Sequence, residues 1–163
     1  MQLLEVGRLD ESTYLKLACE CFPGIAASQF QIILDAWLVG PYEGMSDLFS
    51  ALRRRGLKLA CFSNTNAWHW RALTDPDGPY RELQQLDYRF ASCEIGHAKP
   101  DPRAYRHVEQ RSGFSGGQIF FLDDRPENVQ AARDLGWQAE WIDPSREGLP
   151  QAVEHLRRRG LLG

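Results

Sequence analysis

The strongest constraint on the fold is a repeated pattern in the second two-thirds of the chain. Short apolar runs there end in polar residues and alternate with helical segments. Residues 57–62 (Leu-Lys-Leu-Ala-Cys-Phe), 89–95, 118–122 and 138–142 have the length and composition of buried strands. Residues 102–111 read as a helix with Asp101 as N-cap and Pro102 in the first helical position. Residues 126–135 read as a second helix, ended by Gly136, and residues 149–159 as a third. Strands that alternate with helices build βα units on a parallel sheet, which makes this an α/β fold.

The first 44 residues have a different texture. Residues 11–22 and 28–39 are helical patterns separated by Pro23-Gly24, with no strand between them. They predict a helical lobe over residues 1–43, joined through residues 41–44 to an α/β body over residues 44–163. The hexapeptide Leu-Arg-Arg-Arg-Gly-Leu occurs twice, at residues 52–57 and 156–161. Each triplet falls in the last turn of a helix, where cations complement the dipole, and Gly56 and Gly160 then stand just past the helix ends.

Composition narrows the class. At 163 residues the chain needs no disulfide or structural metal for stability. Nineteen Lys and Arg against twenty-two Asp and Glu leave a net charge of −3, against a nucleic-acid footprint over the whole domain. No apolar run approaches the ~20 residues that span a bilayer, and residues 1–5 do not read as a signal peptide. Cys19, Cys21, Cys61 and Cys93 lack metal-site spacing. A reducing, cytoplasmic setting is the expectation.

In open α/β sheets, ligands bind beyond the carboxyl ends of the strands, and three of those ends carry unusual residues. Ser63-Asn64-Thr65-Asn66 follows the first run. A hydroxyl and an amide leading into a helix can cradle a phosphate or simply cap the helix. Lys99 precedes Pro100 and is held extended, so its ammonium points toward the same edge. There it serves as a point charge for a phosphoryl oxygen or as a solvated loop residue; His97 reads as part of the loop. Asp123-Asp124 ends the third run. Two adjacent carboxylates suit Mg²⁺, whereas an acidic helix N-terminus accounts for only one of them.

Taken together and in this order, Ser63-Asn64, Lys99-Pro100 and Asp123-Asp124-x-x-x-Asn128 resemble the second, third and fourth motifs of the haloacid dehalogenase superfamily. The Ser-Asn-Thr-Asn spelling is most similar to the branch of sugar-phosphate phosphatases and epoxide hydrolase N-terminal domains. The resemblance implies a Rossmann-like parallel sheet with a small helical cap, here partial. It also implies Mg²⁺ as cofactor, a small phosphorylated metabolite as substrate, and hydrolysis through an aspartyl-phosphate. By the same resemblance Ser63 and the Asn64 backbone hold the phosphoryl group and Lys99 neutralises it. Asp124 ligates Mg²⁺, and Asp123 supports the metal's shell.

The first motif of that superfamily, an apolar strand ending in Asp-x-Asp, is absent from these 163 residues. Asp75-Pro76-Asp77 has the spelling but follows Ser63 and lacks a strand before it. Ile32-Ile33-Leu34-Asp35 leaves open a strand ending in an acid, although Trp37 stands where the second Asp belongs. The expectation is an N-terminally truncated chain without turnover, its central strand missing between the strands ending at Phe62 and Leu122. The chain then has three options: direct pairing of the two strands, filling of the gap by residues 2–6 or by a partner chain, or marginal stability. The exposed edges make a homo-oligomer an expectation. A non-catalytic phosphate- and metal-binding module is the alternative function. Trp37, Trp68 and Trp70 suggest either a sugar pocket or plain packing.

Overall fold

The computed structural model describes residues 2–163. The element order is α1 (Gln2–Glu5), α2 (Glu11–Cys21), α3 (Ala27–Asp35), α4 (Met45–Arg54), β1 (Ala60–Ser63), α5 (Ala67–Thr74), β2 (Tyr88–Ala91), α6 (Ser92–Ile95), α7 (Pro102–Ser112), β3 (Phe120–Asp123), α8 (Pro126–Asp134), β4 (Gln138–Trp141) and α9 (Gly148–Arg158). Two 3₁₀ turns, Arg81–Gln85 and Gly116–Gln118, precede β2 and β3. Among the described residues no helix is long and apolar enough to cross a membrane.

The strands are shorter than the apolar runs that announce them, for local reasons. Leu57 donates its N–H to Leu52 O as part of the turn that ends α4, so β1 begins only at Ala60. Gln118 is spent in a 3₁₀ turn, which moves the third strand to Phe120–Asp123. Residues 92–95 are helical and not a continuation of β2, because the buried Ser92 hydroxyl leaves the strand to bond the backbone of Thr65 and Glu5. Asp35 is the last residue of α3, so residues 32–35 are not a strand and the alternative acid end is excluded. Residues 2–5 are likewise helical and pack on α6; they fill no gap in the sheet.

β1 pairs with β2 and β3 with β4, both in parallel. Among the described residues no ladder joins β1 to β3. Backbone alternation shows what that leaves open. Leu59 O accepts from Asp87 and Tyr88, so Cys61 and Ser63 turn their peptide groups toward β2, and those of Ala60 and Phe62 face away. Ile119 O accepts from Gln138 and Asp123 O from Ile142, so the groups of Phe120 and Leu122 face away from β4. The edges of Ala60–Phe62 and Phe120–Leu122 are therefore free of strand partners.

Shared helices, not a backbone ladder, join the two strand pairs. On one face α7 and α8 contribute Ala104, Tyr105, Val108, Val129 and Ala132 to a cluster with Phe90, Phe121, Trp137 and Ala139. On the other face Leu48 and Leu52 of α4 and Leu156 of α9 cover Leu59, with Cys61 and Phe120 packed against them. The architecture is an α/β sandwich, helices on both faces of parallel strands.

Candidate functional site

β1 delivers half-buried Ser63 at its carboxyl end, and β3 delivers Asp123 at the equivalent point. Lys99 bridges the two strand pairs. Its ammonium donates to Phe62 O at 2.6 Å, on the open edge of β1, and to Asp123 Oδ2 at 2.7 Å. The two charged side chains are only 8% and 5% exposed, so the pair is held out of water. The same ammonium sits 4.9 Å and 5.3 Å from the ring centroids of Phe62 and Phe121. A desolvated cation gains from such ring faces.

The lysine is fixed from its backbone. Asn64 donates from Nδ2 to Lys99 O and accepts from Lys99 N at Oδ1, each at 2.8 Å. The Asn64 side chain is thus spent on positioning Lys99, and its backbone remains the group to consider for an anion. Thr65 N–H donates to Ser92 Oγ, and Asn66 caps α5 by accepting from His69 N. The cradle is therefore narrower than the whole Ser63–Asn66 segment.

The two carboxylates differ sharply. Asp123 is buried, and both its oxygens are committed: Oδ2 to Lys99, Oδ1 to Arg125 N and Asn128 Nδ2. Asp124 is exposed, and its backbone carbonyl, not its carboxylate, accepts from Trp141 Nε1. In kind the donors fit a hard divalent cation; in number they supply one available carboxylate. Among the described residues no three His, Cys, Asp or Glu side chains converge.

Sequence reasoning missed two supporting residues, Ser92 and Tyr105, and named a third, Asn128, only within the Asp123-Asp124-x-x-x-Asn128 spelling. Ser92, with no exposed surface, gathers the backbones of Thr65 and Glu5 through one hydroxyl. Asn128 holds Asp123, and its Oδ1 is buried without a partner. Tyr105 donates to Asn128 O at 2.8 Å; burial pushes its phenol well above the ordinary range, and the Asp123 charge adds to this. Only the Asn at the fifth position after Asp123 carried a sequence signal. The tryptophans do not form one cluster: Trp70 is buried and Trp37 exposed. Trp68 lines a cavity of about 520 Å³ with Ser12, Gln31, Arg71 and Asp75.

The family model of haloacid dehalogenase-like hydrolases matches residues 8–136. The chain belongs to that family. It is 32% identical over 123 residues to the phosphatase MT3486 of Mycobacterium tuberculosis (strain CDC 1551 / Oshkosh), covering 74% of this chain and 56% of the relative. It is 31% identical over 130 residues to the haloacetate dehalogenase H-2 of Moraxella sp. (strain B), covering 79% of this chain and 54% of that protein. The chain spans about half the length of these curated relatives. Among solved structures, the magnesium complex of a haloacid dehalogenase family enzyme from Bacteroides thetaiotaomicron superposes with a TM-score of 0.79 at 24% identity. That match covers 96% of this chain and 78% of the other. A predicted hydrolase of the family from Porphyromonas gingivalis gives 0.77 at 25% identity, covering 95% and 77%.

Proposed function

We propose that this haloacid dehalogenase-like chain carries the phosphate-holding face of a Mg²⁺-dependent phosphoester hydrolase acting on a small phosphorylated metabolite. Residues 1–43 belong to its helical cap and residues 44–163 to its core. The observation that carries the reading is the buried Lys99–Asp123 pair seated between Ser63 and Asp124 at the carboxyl ends of two parallel strand pairs.

Ser63 Oγ and the Asn64 N–H offer donors to phosphoryl oxygens. Lys99 adds a positive charge whose strength is preserved by exclusion of water. Asp123 keeps the ammonium in place, and Asn64 fixes the loop that bears it. Mg²⁺, with Asp124 among its ligands, would supply further charge neutralisation for the phosphoryl group. Among the described residues no carboxylate stands ready as a nucleophile beside Lys99. Asp35 lies at the end of a helix, and the side chain of Asp123 is already engaged.

The 163-residue chain is therefore expected to show no turnover of an aryl phosphate above background with Mg²⁺. Robust turnover that vanishes in Asp35→Asn contradicts this. The non-catalytic alternative is separated by the encoding DNA upstream of Met1, where an in-frame strand ending in Asp-x-Asp supports the hydrolase.

A further inference from the structure

The repeated hexapeptides at residues 52–57 and 156–161 have no part in the site described above. They fold into the same turn. Gly56 and Gly160 have φ of 78° and 69°, a left-handed backbone that glycine adopts without steric cost. Gly56 N bonds Arg53 O and Leu57 N bonds Leu52 O; Gly160 N bonds Arg157 O and Leu161 N bonds Leu156 O. The two helices also lie side by side and point the same way. Leu149, near the start of α9, lies against Gly44, the N-cap of α4, and at the other end Arg55 Nη2 donates to Gly160 O at 2.9 Å. Both triplets thus meet at one pole, where the strands begin, away from Ser63 and Asp124.

All six arginines there are exposed. Three hold carboxylates of their own chain: Arg53 with Asp87 at 3.3 Å, Arg159 with Glu140 at 2.6 Å, and Arg158 with Glu154 at 3.8 Å. Arg55 and Arg157 bond only backbone carbonyls, and among the described residues Arg54 has no partner. Lys58 adds a seventh cation, paired with Asp87. Capping two helix dipoles does not require three arginines each, because the dipole's effect is confined to the last turn and is modest.

We propose that this arginine-rich pole is a docking surface for an acidic, Asp- and Glu-rich segment of a partner protein. Arginine forks match carboxylates in a bidentate way, and this surface already seats three of them. Arg54, Arg55 and Arg157 extend the same pattern outward. The alternatives lack their own signatures. Single-stranded nucleic acid wants aromatic platforms, and the exposed Trp37, Tyr42 and Trp141 lie outside the two arginine turns. A membrane surface wants apolar anchors beside the cations, whereas Leu57, Leu161 and Leu162 pack into the core.

The test titrates the full chain into a fluorescein-labelled peptide of alternating Asp and Glu, read by fluorescence anisotropy. Saturable binding is expected that weakens at least about tenfold between about 20 and about 200 mM salt, since the charges are exposed. Arg54→Gln, a site without partners, should cost about threefold, and R54Q/R55Q/R157Q at least about tenfold with an unchanged circular dichroism spectrum. Absence of binding, or equal binding by the variants, overturns the proposal. So does tighter binding of a short RNA or of anionic phosphatidylserine vesicles that is lost in the same variants.

Discussion

Lys99 and Asp123 meet at 2.7 Å with almost none of either side chain in water. Breaking such a pair from one side leaves a buried charge alone, which costs about 3–5 kcal/mol, far more than an exposed ion pair. Lys99→Met is expected to lower the unfolding free energy by that amount in urea titrations, and the double variant K99M/D123L to recover most of it. A loss under about 1 kcal/mol for the single variant would show that the pair is solvated. Asp101 makes a second prediction at this scale. Its hydrogen bonds from the Arg103 side chain pull its pKa from 3.8 to about 2 in the fold. The folded state therefore binds fewer protons than the unfolded chain between these values. The resulting stability is present above about pH 4 and lost as the pH falls toward 2. Thermal melts should show this acid limb, shallower in Asp101→Asn.

The elements carry a sharper prediction, because the open edges of β1 and β3 alternate residue by residue. The amides of Cys61, Phe121 and Asp123 point into their ladders, while those of Ala60, Phe62, Phe120 and Leu122 point away from them. Amide hydrogen exchange should alternate in the same order, fast at the second set and slow at the first. Uniform protection along β3 would mean that another strand covers its edge. Much of this level was legible beforehand: the four strands, the helices after β2 and β3, Asp101 as N-cap, and the grouping of Ser63, Lys99 and Asp123 at one edge. Strand ends were not, since Leu57 and Gln118 look apolar or neutral in sequence yet serve neighbouring turns. Ser92 was invisible for a different reason. A serine inside an apolar run gains meaning only when Thr65, twenty-seven residues earlier, is brought to its hydroxyl.

At the scale of the whole molecule, two parallel strand pairs clamped by four helices present one chemically distinct face. Hydroxyl, ammonium and carboxylate reach it from the end of β1, the loop before α7 and the end of β3. Family membership sets the expectation of hydrolysis, and in the proposed reading anion binding falls to Ser63 and Lys99, with Asp123 holding the ammonium in place. The two arginine triplets show the same principle at the opposite pole, where distant repeats become neighbours only through the fold. The most direct measurement is a calorimetric titration of inorganic phosphate into the full chain with Mg²⁺ present, repeated with Ser63→Ala. Saturable binding that weakens about tenfold in the variant, as expected for one lost hydrogen bond to a charged oxygen, is the predicted result. No phosphate binding, or equal binding by both proteins, would contradict the account.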